Sequence, residues 1–145
     1  MKAMAGIKRF TFYVKEPPLL KDGISSSVFA VETLRPIVQM GQESFWVFGL
    51  NNRNRVIYQD CLFIGGINGC TVDIRILFRR LLSVGATAFI IVHNHPGGDS
   101  LPSQEDKRLT EKVKKAATIL DLNFLDHIII SDDGYTSFKD LFLLT

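Results

Sequence analysis

The sequence has few cysteines and no long apolar run. Its two cysteines, Cys61 and Cys70, are separated by eight residues, which matches neither a zinc-finger spacing nor a disulfide framework. We interpret them as reduced thiols of a cytoplasmic protein. No segment approaches the ~18 apolar residues that a membrane-spanning helix requires, and the first residues lack the apolar stretch of a signal peptide. The sequence therefore predicts a cytoplasmic protein with no membrane partner.

The sequence also lacks a strong excess of charge of one sign. It contains 17 Lys and Arg residues against 15 Asp and Glu residues, which gives a net charge of +2. A dedicated nucleic-acid-binding domain usually carries a larger basic excess, so we expect weak nucleic-acid binding or none. Charged residues make up 22% of the chain and hydrophobic residues 46%, which argues against disorder and supports one domain with a substantial core.

Two segments can be distinguished along the 145 residues. We interpret residues 1–24 as an N-terminal arm, in which "RFTFYV" is a candidate edge strand and "EPPLLKDG" a loop. Residues 25–145 carry the pattern of a folded domain. Ser26 or Ser27 is a candidate cap for a helix over "VFAVETLRPIVQM", and Pro36 should kink or shorten that helix.

The domain segment alternates between strand and helix patterns. "ESFWVFGL" and "VIYQDCLFIGG" predict a hairpin, and "TAFIIVHNH" predicts a buried strand. "SQEDKRLTEKVKKAATILDL" is the clearest helix, and "NFLDHIIISDDGYTSF" predicts a strand, an Asp-Gly turn and a strand. A further helix is predicted over "TVDIRILFRRLLSVGA", in which Ile74, Leu77, Leu81 and Leu82 have helical spacing. This order predicts an α/β fold with a mixed β-sheet flanked by helices.

His93 and His95 lie two residues apart at the end of a predicted strand, so both imidazoles point to the same face. Asp106, at the start of the following helix, shares the inward face of Leu109 and Val113. Two imidazoles, one carboxylate and a water make an open zinc site, in which the pKa of the water falls to about 7. The pattern predicts one Zn²⁺ per chain, bound by His93, His95 and Asp106.

The same stretch allows a purely structural interpretation. Ser103 and Asp106 nearly match a capping box, in which each side chain binds the backbone N–H of the other residue. Taken alone, this pair is more typical of a helix start than of a metal site. The two histidines favour the metal site, because polar rings at the end of a buried strand need partners.

The spacing H-x-H-x7-S-x2-D of His93, His95, Ser103 and Asp106 resembles, position for position, the JAMM motif of the JAB/MPN metalloproteases. The longer string "HNHPGGDSLPSQED", with "LDHIIISDDGYTSF" downstream, is similar to the RadC family in particular. The resemblance covers about residues 25–143, which is nearly the whole chain. It implies the JAB/MPN architecture, which is like that of cytidine deaminases.

The resemblance also implies an activity, namely zinc-dependent hydrolysis of an amide or isopeptide bond in a peptide or protein substrate. It implies a glutamate as general base, and Glu43 at the start of "ESFWVFGL" is the best match. The alternative is that Glu43 is an ordinary solvated residue at a strand start. The Ser103 hydroxyl, at the positive end of a helix, is implied to stabilise the oxyanion.

A second class of function stays open, because the RadC family carries a DNA-repair label. In this alternative the chain is a DNA-associated module of DNA repair or mobile-element biology that retains the metal site. A zinc nucleoside deaminase is disfavoured, since its H-x-E and C-x-x-C signatures are absent. We interpret His127 as a structural histidine bonded to Asp126 or to the backbone. The sequence leaves the scissile bond and the oligomeric state open.

Overall fold

The computed structural model describes residues 27–38, 41–65 and 72–144. Eight elements follow one another in this part of the chain: α1 (Ser27–Val38), β1 (Glu43–Leu50), β2 (Val56–Gly65), α2 (Ile74–Ser83), β3 (Ala88–His95), α3 (Gln104–Ile119), β4 (Asn123–Ser131) and β5 (Tyr135–Ser137). The predicted N-terminal arm with its strand over "RFTFYV", the candidate cap Ser26 and Cys70 lie outside the described residues. No helix within those residues is long and apolar enough to cross a membrane.

The five strands form one mixed sheet in the order β2-β1-β3-β4-β5. β1 pairs antiparallel with β2 and with β3, whereas β3 and β4 are parallel and β4 and β5 are antiparallel. The central strand β3 is buried along all but its last residue, which explains its uninterrupted apolar run. The predicted α/β fold with a mixed sheet is therefore confirmed, and both predicted hairpins are present.

Helices cover both faces of the sheet, so the domain has three layers. α1 packs on one face through Ala30, Val31 and Leu34. α2 and α3 pack on the other face through Leu77, Phe78, Leu81, Val113 and Ala117. Leu82 shares the helical spacing noted in the sequence but is 52% exposed, because Leu77, Phe78 and Leu81 form the buried face of α2.

The crossover from β3 to β4 creates the edge at which the predicted site residues meet. β3 ends at His95, residues 96–103 turn the chain, and α3 starts with Ser103 as its N-cap. Gly97 in this turn has a φ of 65°, in the left-handed region that glycine adopts without a steric penalty. Because parallel strands end at the same edge of a sheet, the end of β4 lies beside the end of β3.

Candidate metal centre

Side-chain atoms of His93, His95 and Asp106 converge at this edge. The two histidine Nε2 atoms are 2.9 Å apart. Asp106 Oδ1 lies 3.1 Å from His93 Nε2, and Asp106 Oδ2 lies 3.4 Å from His95 Nε2. Zinc bonds of ~2.0–2.1 Å in a tetrahedron place neighbouring ligand atoms roughly 3.3 Å apart. The separations of the three side chains therefore fit a three-ligand zinc site with one further position.

Asp106 both caps α3 and faces the two histidines. The two predicted interpretations, a capping box and a metal ligand, are therefore compatible. Its Oδ2 accepts a hydrogen bond from Ser103 N at 2.8 Å, and Ser103 Oγ accepts one from Asp106 N at 3.0 Å. These two bonds form the complete capping box at the start of α3. The same carboxylate faces both histidines. The cap therefore orients the Asp106 carboxylate toward the site instead of competing with it.

The electrostatics of the cluster favour a cation. Burial raises the pKa of Asp106, but hydrogen bonds from His93 and His95 outweigh burial and hold that pKa below its usual range. The hydrogen bond to Asp106 raises the pKa of His95 against the opposing effect of burial. Asp106 is therefore ionised at neutral pH, and a metal ion at this position competes with a proton for His95.

His95 is oriented by the loop that follows it. Its Nδ1 lies 2.9 Å from the backbone carbonyl oxygen of Asp99. A carbonyl only accepts hydrogen bonds, so Nδ1 carries the proton and donates it to Asp99. In the neutral ring, the lone pair is then on Nε2, the atom that faces Asp106. A backbone carbonyl in this position is a common partner of metal-binding histidines.

Glu43 opens β1 on the same face as the histidines. Phe45 pairs directly with His93 across β1 and β3, so Glu43, two residues earlier, points to the side of His93 and His95. A Glu43 carboxylate oxygen and one ring nitrogen from each histidine all lie within 4.8 Å of one another. Glu43 is therefore close enough to reach a water at the site, or to serve as a carboxylate ligand itself.

Asn94 holds the backbone on both sides of Glu43. This side chain points to the opposite face of β3 from the histidines and is 5% exposed. Its Oδ1 accepts hydrogen bonds from Ser44 N and Ser44 Oγ, at 2.7 and 2.8 Å. Its Nδ2 donates to the carbonyl oxygen of Gln42 at 2.9 Å. The residue between the two histidines thus fixes the start of β1, where Glu43 lies.

His127 lies behind His93, and the sequence did not predict this contact. The His127 ring is fully buried, with Nε2 2.8 Å from His93 Nδ1 and Nδ1 2.6 Å from Thr110 Oγ1. The predicted ring partners, Asp126 or the backbone, are wrong, since the ring contacts the His93 and Thr110 side chains and Asp126 accepts hydrogen bonds from Ser137 Oγ and Lys139 N. Thr110 carried one recognisable signal: it lies four residues after Asp106, on the inward face of α3.

A polar groove of about 380 Å³ adjoins the site. One wall is the loop after β3, and the other is the turn between β4 and β5. The lining residues are Gly97, Gly98, Asp99, Ser100, Ser131, Asp132, Asp133 and Gly134. A hydrogen bond from Thr136 Oγ1 in β5 to Ser100 Oγ, at 3.1 Å, joins the strand after this turn to the loop after β3. Because the carbonyl of Asp99 also binds His95, the groove begins beside that ring.

Comparison with known proteins identifies the family. The sequence profile of the RadC-like JAB domain matches residues 24–143. The chain belongs to this family. The three-layer fold with its mixed sheet is consistent with a JAB/MPN domain, and this family is related to the JAMM metalloproteases.

Similar curated proteins come from several bacteria. A protein of Flavobacterium johnsoniae is 48% identical over 118 residues, covering 81% of this chain and 52% of its own length. A protein of Porphyromonas gingivalis is 40% identical over 126 residues, covering 86% of this chain and 56% of its own length. Both are named only "UPF0758 protein", a name that states no activity. The chain spans about half the length of these relatives.

Proposed function

We propose that this RadC-like JAB domain is a zinc-dependent metallopeptidase that hydrolyses an amide or isopeptide bond. The observation that supports this most is the convergence of His93 Nε2, His95 Nε2 and the Asp106 carboxylate, at separations of 2.9–3.4 Å. Two imidazoles and one carboxylate, with one position left over, are typical of catalytic zinc sites. Structural zinc sites usually have four protein ligands instead.

The proposed chemistry divides between the metal and four residue types. Zinc, when bound, would polarise the substrate carbonyl and lower the pKa of a water. Glu43 would accept a proton from the attacking water and pass it to the leaving amine. Ser103 Oγ accepts a hydrogen bond from Asp106 N, which leaves its hydroxyl hydrogen to donate to the developing oxyanion. The two histidines and Asp106 would hold the ion.

The proposed substrate is a peptide or protein, for which the groove beside His95 offers a polar binding surface. We propose a cytoplasmic location, in line with the low cysteine content. A nucleic-acid partner is not part of the proposal, because a net charge of +2 provides little attraction for phosphates.

Zinc content tests the metal site directly. We expect about one zinc per chain in protein purified without added metal, because the site offers the three ligands of an open zinc centre. His95→Ala should remove binding. Glu105→Ala is the matched control, since Glu105 is exposed and adjacent to Asp106 in α3, and it should keep full zinc content. If the wild-type protein contained no transition metal and bound none on titration, the metallopeptidase proposal would be wrong.

The substitution Glu43→Gln tests the chemistry. Glutamine keeps the size of the side chain but cannot accept the proton, so hydrolysis of a cleavable peptide or isopeptide should fall by ~10²–10⁴. Zinc content and melting temperature should change little, and Glu105→Gln should leave the rate unchanged. Full activity in Glu43→Gln would show that another group is the base. Loss of zinc would instead show that Glu43 is a ligand.

A further inference from the structure

The turn between β4 and β5 forms one wall of the groove beside the proposed metal centre, and Arg35 of α1 holds both ends of this turn. We propose that Arg35 is a positioning residue that fixes this wall, so that the groove has its substrate-binding shape before a peptide enters. The inference rests on the proposed function, because it takes the groove as the place where a peptide or protein substrate binds.

The last residue of β4 lies beyond the reach of β5. The final pair between these two strands is Ile130 with Tyr135, and Ser131 comes one residue later. Ser131 is only 5% exposed, so its backbone N–H and carbonyl both need partners within the protein. The N–H donates to the Gly134 carbonyl oxygen at 2.9 Å, which closes the turn. The Ser131 carbonyl takes its partner from another element of the fold.

That partner is Arg35, which makes a hydrogen bond to each end of the turn. Its Nη1 donates to the Ser131 carbonyl oxygen at 2.7 Å, and its Nη2 donates to the Gly134 carbonyl oxygen at 3.1 Å. One planar guanidinium therefore bridges the first and the last residue of the turn, and its charge strengthens both bonds. Asp132 and Asp133, between these residues, form the exposed tip. The position of the tip follows from the two carbonyls that Arg35 holds.

α1 gives Arg35 a fixed base. Val31 and Leu34 of this helix are buried in the apolar cluster on the α1 face of the sheet. At the start of the helix, Ser27 Oγ donates to the carboxylate of Asp140, which follows β5. Arg35 lies in the last turn of the helix. α1 is thus tied to the β4–β5 hairpin near both of its ends, and the turn is held by a packed helix.

The turn also lies next to His95. Ser131 is the direct neighbour of His95 across the parallel strands β3 and β4, so the two residues end their strands side by side. Ser131 lines the groove, and the loop after His95 forms the opposite wall. A shift of the turn therefore changes the width of the groove beside the metal centre. Zinc content should not change, because Arg35 holds the β4–β5 turn whereas the proposed ligands belong to β3 and α3.

Hydrogen exchange of the Ser131 amide tests whether Arg35 fixes the turn, and it needs neither zinc nor activity. Arg35→Met keeps an unbranched apolar side chain but removes the guanidinium. Arg79→Met is the matched control, since Arg79 is exposed on α2. Exchange of the Ser131 N–H should become ~10–100-fold faster in Arg35→Met and stay at the wild-type rate in Arg79→Met. Equal rates in Arg35→Met and the wild type would overturn the inference, as would a wild-type amide without protection.

Steady-state kinetics on a fluorogenic peptide that the wild type cleaves test the role in binding. Without the guanidinium, the substrate has to order the turn as it binds, so KM should rise ~10-fold while kcat changes little. Arg35→Lys keeps a charged donor but loses the fork, and its KM should lie between those of the wild type and Arg35→Met. A lower melting temperature with an unchanged KM of the folded protein would make Arg35 a structural residue only and overturn the inference.

The two measurements separate this inference from the proposed function. A protein that cleaves no peptide or isopeptide would contradict the metallopeptidase and, with it, the role in binding, while Ser131 exchange would still decide whether Arg35 fixes the turn. A protein that cleaves peptide with the same KM in Arg35→Met as in the wild type would retain the metallopeptidase and reject the positioning role. Arg35→Lys and the wild-type exchange rate decide the outcome if Arg35→Met fails to fold.

Discussion

The two faces of the sheet differ at the edge where β3 and β4 end. On the α1 face, the inward side chains of these strands remain apolar as far as Val92 and Ile130. On the α2/α3 face, the apolar series of Phe89 and Ile91 continues as His93 and His95. Because alternate residues of a strand point to opposite faces, one strand can contribute to a core on one side and to a site on the other.

This division predicts that stability and metal binding respond to different substitutions. The α1 face contributes by removing apolar surface from water, at ~25 cal/mol per Å². The polar edge contributes less to the free energy of unfolding. The cost of burying histidines and a carboxylate cancels much of the stabilisation that their hydrogen bonds provide. Variants of the two regions should therefore separate the free energy of unfolding from zinc affinity.

The largest loss of stability should come from Phe48→Ala on the α1 face. Phe48 is fully buried in the apolar cluster between the sheet and α1, so truncation removes apolar burial and leaves a cavity. We expect the free energy of unfolding to fall by about 3–5 kcal/mol, measured by denaturant titration. The folded fraction should bind zinc with wild-type affinity. Impaired zinc binding under conditions where the variant is fully folded would show that the two faces are not independent.

Asn94→Ala should have an intermediate effect, because Asn94 is the polar residue at the β3 end of the α1 face. Its side chain binds Gln42 O and Ser44 N, on either side of Glu43. Removing it leaves the buried Ser44 N–H and the Gln42 carbonyl without these partners, which should cost about 1–3 kcal/mol of unfolding free energy. Hydrolysis should fall as Glu43 loses its support, whereas zinc content should not change. Unchanged hydrolysis would mean that the strand start holds Glu43 without Asn94.

Much of the fold follows from the sequence because its signals are local. The hairpins, α3 and the buried strand were predicted from the alternation of side chains, helical spacing and turn residues within single segments. The convergence of His93, His95 and Asp106 could be predicted for the same reason, since strand period and capping spacing each act over a few residues. The order β2-β1-β3-β4-β5 is set by pairing between distant segments, which a single sequence does not specify.

The contact between His93 and His127 depends on that distant pairing. It requires the parallel register of β3 with β4 and the packing of α3 across both strands. The predicted partner Asp126 is adjacent to His127 in a strand, and adjacent strand residues point to opposite faces. Strand geometry alone therefore argued against that bond. Strand geometry could not predict the contact of His127 with Thr110, because Thr110 lies in α3.

The smallest loss of stability should come from Ser103→Ala, which changes the cap of α3 at the boundary between the site and solvent. Ser103 Oγ accepts one hydrogen bond, from Asp106 N, so its loss should cost about 1 kcal/mol in thermal or denaturant unfolding. The bond from Ser103 N to Asp106 Oδ2 uses the backbone and survives the substitution, so the carboxylate keeps its orientation and zinc content should be unchanged. If the hydroxyl also donates to the oxyanion, hydrolysis should fall by ~10²–10³, far more than the stability change implies. Ser103→Thr keeps a hydroxyl and should restore both properties. If Ser103→Ala lost about 1 kcal/mol of stability but kept a hydrolysis rate near that of the wild type, Ser103 would act only as the helix cap.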